Sequence, residues 1–164
     1  MFNMFVPTRI IFGSGRINEL HSQNLPGKKA LLTISNGKSA RESGALAKVE
    51  SELTHAGAEY AVFDKIMANP LRSTVMEGAN AAKENECDFI IALGGGSVMD
   101  ASKGIAAMAT NDGDIWDYIS GGTGGGKPLV NAPLPLIAIT TTAGTGSEVD
   151  QWGVISNEVT NEKI

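Results

Sequence analysis

The chain has 164 residues, 42% hydrophobic and 19% charged, with 18 acidic against 13 basic side chains and a net charge of -5. That apolar content supplies one sizeable core rather than two, and the negative balance excludes a protein-wide field that would gather nucleic acid or anionic lipid. A single cysteine, Cys87, cannot form an internal disulfide, and His21 and His55 alone build no Cys/His cluster, so the sequence reads as a reduced, cytoplasmic protein without structural zinc. Met1 to Arg9 lacks a basic region followed by a long apolar run, and no stretch reaches the ~18 apolar residues that would span a bilayer, which predicts a soluble protein that is not exported.

Phe5 to Phe12 (FVPTRIIF) has the β-branched and aromatic content of a strand, and Pro7 confines it to an edge or a hairpin. Beyond Gly13-Ser14-Gly15 a helix-like stretch runs to His21, and Lys29 to Ile34 (KALLTI) is a short apolar run of the kind buried on both faces of a parallel sheet. Ser35 to Ser39 turns the chain. Ala40 to His55 places Leu46, Val49 and Leu53 at helical spacing, with Gly57 to stop the helix, and Tyr60 to Phe63 is the next strand. After an Asn69-Pro70 turn, Leu71 to Glu86 reads as helix, Asp88 to Leu93 (DFIIAL) as a buried strand delivered into Gly94-Gly95-Gly96, and Ser97 to Thr110 as helix. Ile119 to Pro135, rich in glycine and proline, is a surface loop. Leu136 to Ile139 then runs as a strand into the small-residue loop Thr140 to Ser147, and Trp152 to Ser156 and Glu162 to Ile164 are the arms of a C-terminal β-hairpin. This alternation predicts an α/β fold over one domain, 1–164: a Rossmann-like parallel sheet with helices on both faces, an N-terminal edge strand and the C-terminal hairpin. A chain that stops as a strand begins reads as part of something longer.

In such sheets ligands sit beyond the carboxyl ends of the strands. The strongest motif there is GGGSVMDASK at 94–103: glycines let backbone N–H groups approach an anion, and the following helix offers unpaired amides and a positive dipole end. A pyrophosphate suits Gly95, Gly96 and Ser97; the bland alternative is a tight turn with Ser97 and Asp100 as a capping pair. Met99 stands where G-x-G-x-x-G would end in glycine, so this is not the ordinary dinucleotide fingerprint. GGTGGGK at 121–127 formally matches an ATP-binding loop, but Pro128 replaces the magnesium-binding Ser/Thr and no strand enters it, so it reads as a solvated linker. Thr140 to Ser147 offers hydroxyls and flexible amides for phosphate or ribose. The Ser35 to Ser39 loop lacks the acid that would accept a ribose 2′-hydroxyl and carries Gly37, Lys38 and Ser39, which suit the extra phosphate of NADP; the bland alternative is a solvated lysine. His21 and His55 read as surface groups, and Cys87 as a small core residue.

GGGSVMDASK, preceded by DFIIAL and followed later by TTAGTGSEV, resembles the iron-containing (group III) alcohol dehydrogenase family, and Asn69-Pro70 agrees. The resemblance spans Phe5 to Lys163. It implies an N-terminal domain like that of dehydroquinate synthase, with Gly95, Gly96 and Ser97 gripping the pyrophosphate and Asp100 beside them. It places Asn69 near the adenosine side, Thr140, Thr141 and Thr145 along the phosphates and nicotinamide ribose, and Lys163 reaching that ribose from the hairpin. Gly37-Lys38-Ser39 resembles the NADP-using, butanol dehydrogenase-like branch, with NAD the other choice.

The family's metal, Fe2+ or Zn2+, is held by an aspartate and three histidines that lie downstream, in a helical domain this chain does not contain. Its members oxidise primary or short-chain alcohols to aldehydes and the reverse, and often form homodimers through the strand matching Phe5 to Phe12. Carried to this chain, the resemblance implies a cofactor-binding half that is inactive alone. Two alternatives stay open: a glycerol dehydrogenase-like relative, against which TTAGTGSEV speaks, and a non-catalytic nucleotide-binding or subunit-association module.

Overall fold

The computed structural model describes Met1 and residues 6–164. Four parallel strands form the sheet: β1 (Lys29–Ser35), β2 (Glu59–Ile66), β3 (Phe89–Gly94) and β4 (Leu136–Thr140). Their order is β2-β1-β3-β4, so the chain steps outward from β1 and then returns to its other side. That reversal opens a crevice between β1 and β3 at their carboxyl ends, where sheets of this kind take ligands. Helices α1 (Ser39–Glu42), α2 (Ala45–His55), α3 (Arg72–Glu84) and α4 (Gly96–Thr110) make the crossovers, with 3₁₀ turns at Arg16–Ser22 and Ile115–Asp117.

The continuous apolar runs of β1 and β3 divide between two cores by strand alternation. Leu32, Ile34, Phe89, Ile91 and Leu93 pack beneath α2 through Leu46, Val49 and Leu53. On the other face Leu31, Ile90 and Ala92 meet Val75 and Ala79 of α3 and Met99 and Ile105 of α4. Thr33 is buried on that side and satisfied: its hydroxyl lies 2.7 Å from that of Ser102 in α4, which in turn donates to the Val98 carbonyl. Cys87 is buried, as the sequence predicts, and burial pushes its thiol up.

Helices α3 and α4 approach closely because each offers the other a glycine. A Cβ on Gly78 would come within 2.4 Å of Ile105 Cδ1, and one on Gly104 within 2.9 Å of Val75 Cγ1.

Four expectations change. Phe5 lies outside the described residues, and residues 6–12 form no strand: no strand among the described residues pairs with them, and Ile10 and Phe12 are 66% and 95% exposed. The helix expected over 40–55 breaks at Ser43-Gly44, where Gly44 adopts a left-handed φ of 75°. The C-terminal hairpin exists, but its strands are β5 (Ser156–Asn157) and β6 (Glu162–Lys163), with Trp152 exposed ahead of it. Residues 121–127 are not a solvated linker. The amides of Gly125, Gly126 and Lys127 donate to the carbonyls of Trp116, Ile119 and Asp117, and a Cβ on Gly124 would sit 2.2 Å from the Ile119 oxygen. The loop is a compact knot on the 3₁₀ turn, with neither the incoming strand nor the outgoing helix of an ATP-binding loop.

Gly78→Ala gains helix propensity yet overpacks the α3–α4 contact. Urea denaturation is expected to show a net loss of roughly 1–3 kcal/mol.

Candidate functional site

Strand β3 ends at Gly94, in register with Thr140, and the Thr141 amide donates to the Gly94 carbonyl at 2.9 Å. The triple-glycine turn and the threonine loop therefore leave the sheet side by side. Helix α4 begins at once, and the amides of Val98 and Met99 both turn back to the Gly95 carbonyl, at 3.0 and 3.2 Å. The amides of Gly95, Gly96 and Ser97 find no acceptor among the described residues. A helix start must satisfy such groups with a side chain, water or a ligand, and here no side chain caps it. A Cβ on Gly95 would lie 2.9 Å from Thr142 Oγ1, and one on Gly96 3.1 Å from Thr145 Cγ2. Glycine is thus required for the threonine loop to lean over the turn. Free amides, the positive end of a 15-residue helix and hydroxyls above them fit a pyrophosphate, which needs donors on several oxygens and tolerates no side chain in the way.

The Ser97–Asp100 capping pair does not form. Both oxygens of Asp100 face residues 147–154 instead: Oδ1 accepts from the Ser147 hydroxyl at 2.6 Å and Oδ2 from the Val154 amide at 3.1 Å. One turn along α4, Lys103 Nζ donates to Ser147 Oγ at 2.9 Å, to Asp150 Oδ1 at 2.6 Å and to the Trp152 carbonyl. Glu148 buries one carboxylate oxygen that meets no hydrogen-bond partner among the described residues, the kind of atom that a water or ligand ordinarily satisfies.

Asn69 and Lys163, far apart in sequence, come together: Lys163 Nζ donates to Asn69 Oδ1 at 2.6 Å. Asn69 holds a left-handed φ of 55°, and Pro70 behind it is buried and accepts from the Ser156 amide at 2.8 Å. The hairpin is thereby docked at the start of α3. Adjacent residues of a strand face opposite ways, so Glu162 points from Lys163 towards the glycine knot. Glu162 accepts from the Thr123 amide at 2.9 Å and from the hydroxyls of Thr123 and Thr160, which hold its carboxyl below the usual range. Trp116 Nε1 donates to the same Thr123 hydroxyl at 2.9 Å.

Gly37, Lys38 and Ser39 are exposed at the carboxyl end of β1, where Asn36 donates to the Ile66 carbonyl. Lys38 forms no ion pair among the described residues, and its neighbour Arg41 is held by Asp64 at 2.7 Å.

Of the residues that the sequence singles out, Gly96 meets the threonine loop at Thr145 and Gly95 meets it at Thr142, while the Thr140 hydroxyl donates to the Thr142 carbonyl at 2.9 Å. Asn69 meets Lys163. The 37–39 loop shares the same end of the sheet but bonds to neither group. Sequence reasoning counted Thr142, which overhangs Gly95, and Ser147 only among the hydroxyls of the 140–147 loop, and gave no individual part to Lys103. A signal existed, since Asp100 and Lys103 are the charged residues of an otherwise largely buried helix. His21, half-buried, and His55, exposed, lie at the surface as expected, but they are not independent of each other: their rings stack at 4.0 Å, and His21 Nδ1 lies 2.6 Å from Glu52 Oε2. His55 ends the helix that runs back to the amino edge of the sheet, away from the crevice. Among the described residues no group of three or more His, Cys, Asp or Glu side chains converges to hold a metal ion, and no helix is long and apolar enough to cross a membrane.

Comparison with known proteins agrees with this geometry. A family model described as iron-containing alcohol dehydrogenase matches residues 7–164. The 1,3-propanediol dehydrogenase of Klebsiella pneumoniae is 39% identical over 100% of this chain and 42% of its own length. Among solved structures, the NADH-dependent butanol dehydrogenase A of Thermotoga maritima superposes with a TM-score of 0.90 at 33% identity, over 99% of this chain and 40% of that one. Sulfoacetaldehyde reductase from Bifidobacterium kashiwanohense, solved in complex with NAD+, gives 0.82 at 32% identity, over 99% and 42%. The chain thus spans about 40% of the length of the relatives it matches. By motif, topology and likeness, the chain belongs to the iron-containing alcohol dehydrogenase family.

Proposed function

We propose that this chain provides the nicotinamide dinucleotide site of an alcohol dehydrogenase that interconverts a primary or short-chain alcohol and its aldehyde. The observation that carries the reading is the trio of unpartnered amides at Gly95, Gly96 and Ser97, beneath a threonine loop and at the switch point of the sheet. The names of two structural neighbours, an NADH-dependent dehydrogenase and a reductase in complex with NAD+, support the same cofactor class. When bound, the dinucleotide supplies the hydride acceptor or donor. The residues of this chain bind and orient it: the turn amides take the pyrophosphate, Thr140, Thr141 and Thr145 offer hydroxyls beside it, and the Lys163–Asn69 pair presents an ammonium and an amide to a ribose. Among the described residues no set of side chains fits a metal ion. Residues 6–12, exposed and unpaired, suit strand addition to a second copy, and this supports a homodimer.

Gly37, Lys38 and Ser39 present a cation and a hydroxyl without a carboxylate, which favours a 2′-phosphate and hence NADP. Titration of the chain with NADPH and NADH, followed by nicotinamide fluorescence, is expected to give saturable binding of both and tighter binding of NADPH; no saturation with either sinks the site. Lys38→Ala is expected to weaken NADPH about tenfold, the loss of one charge-assisted contact, and to leave NADH unchanged. Butanol or 1,3-propanediol oxidation by the chain alone, with ferrous or zinc ion added, is expected to stay far below the ~1 s⁻¹ of an ordinary whole enzyme.

A further inference from the structure

We propose that Lys103 is a positioning residue for the nucleotide: together with Asp100 it clamps the threonine loop over the phosphate turn, without itself touching the ligand. The proposal rests on the dinucleotide reading above and assigns work to the last residue of the GGGSVMDASK motif. Asp100 and Lys103 lie three residues apart and so share one face of α4. They hold the Ser147 hydroxyl between them: it donates to Asp100 Oδ1 at 2.6 Å and accepts from Lys103 Nζ at 2.9 Å. Ser147 is 6% exposed and the Lys103 side chain 17%, so water competes weakly for these bonds. An ammonium has three donors, and those of Lys103 are spent on Ser147, Asp150 and the Trp152 carbonyl. A phosphate could reach it only by displacing one of them.

The clamp matters because of what lies between it and the turn. The loop is fixed at one end by the Thr141–Gly94 bond and at the other by Ser147. Between them, Gly144 and Gly146 sit at φ 105° and 73°, conformations that hold no shape of their own accord. Thr145 lies in this span, its methyl over Gly96 and its Oγ1 3.4 Å from the Ser147 amide. The helix that carries the clamp also carries the free amides at its first turn. Lys103 therefore fixes the separation of the two walls of the cleft through a rigid element.

The test compares the unaltered chain with Lys103→Met, Lys103→Arg and Ser147→Ala. NADH and NADPH are titrated at several salt concentrations, and hydrogen exchange is followed over 141–154. Lys103→Met is expected to weaken both nucleotides roughly tenfold, with an unchanged salt dependence and faster exchange at 147–154, and Lys103→Arg to recover most of the affinity. Unchanged affinity in Lys103→Met overturns the proposal, as does weaker binding without faster exchange. A flatter salt dependence makes Lys103 a direct phosphate ligand and overturns it too. Should Lys103→Met lose its helical circular dichroism, Ser147→Ala decides: affinity equal to the unaltered chain's overturns the clamp. Failure of the unaltered chain to bind either nucleotide removes the dinucleotide reading and this proposal together, whereas binding that ignores Lys103 removes the proposal alone.

Discussion

The first turn of an α-helix leaves amides that the helix cannot use, and at α4 three of them, on Gly95, Gly96 and Ser97, meet no protein acceptor among the described residues. A serine or aspartate at the N-cap would have satisfied one of them from within. Glycine there supplies none and keeps the approach clear. The sequence forgoes a local stabilisation of about 1 kcal/mol to leave a positive, open helix end where β3 delivers it. The surroundings follow from that choice. The threonine loop can lean close because Gly95 and Gly96 carry no Cβ, and Asp100, which in a capping box would reach back to the turn, is drawn off by Ser147 and Val154. A carboxylate turned towards those amides would occupy them or repel an anion.

The fold sets the address of this helix end. Parallel strands place every strand-to-helix turn at one edge, and the order β2-β1-β3-β4 sends the crossovers from β1 and β3 to opposite faces, so their turns part instead of closing over each other. Two cores hold the sheet between α2 and the α3–α4 pair. The glycine contacts of Gly78 with Ile105 and Gly104 with Val75 draw α3 onto α4, and Ile155, ahead of the hairpin, packs on Gly104 as well. Helix α4 is thus packed along its length by the sheet, α3 and Ile155 while its first turn stays open.

What the sequence made legible was local. KALLTI and DFIIAL announce strands because burial on both faces demands unbroken apolar runs, and the glycines after Leu93 announce the turn because nothing else tolerates that backbone approach. The strand expected at Phe5 to Phe12 had the right composition, but a strand is a pairing, and composition names no partner. The helix over 40–55 carried its periodic leucines through a Ser-Gly step whose left-handed turn periodicity cannot register. The clamp of Lys103 on Ser147 and the meeting of Lys163 with Asn69 join residues 44 and 94 positions apart, and such pairs are products of topology. The stacked His21 and His55 were missed for the same reason, their elements being adjacent only after α2 folds back along β1.

The glycine-rich loop shows how a motif can be read correctly as chemistry and wrongly as structure. Rejecting GGTGGGK as a nucleotide loop stands, since no helix follows Lys127, yet its glycines are not slack. They let the loop fold so tightly that the Thr123 amide and hydroxyl converge on Glu162, and Trp116 closes the hydroxyl from the other side. Glu162 precedes Lys163 on a two-residue strand that has little pairing of its own. A strand that short borrows its position from side-chain contacts, and Glu162 supplies them on one face while Asn69 receives Lys163 on the other. The cation that the family resemblance assigns to the ribose thus follows a carboxylate anchored in the glycine loop, as Lys103 follows Asp100 on α4 and shares its hold on Ser147. In both places a charged side chain beside the crevice finds its partners within the protein.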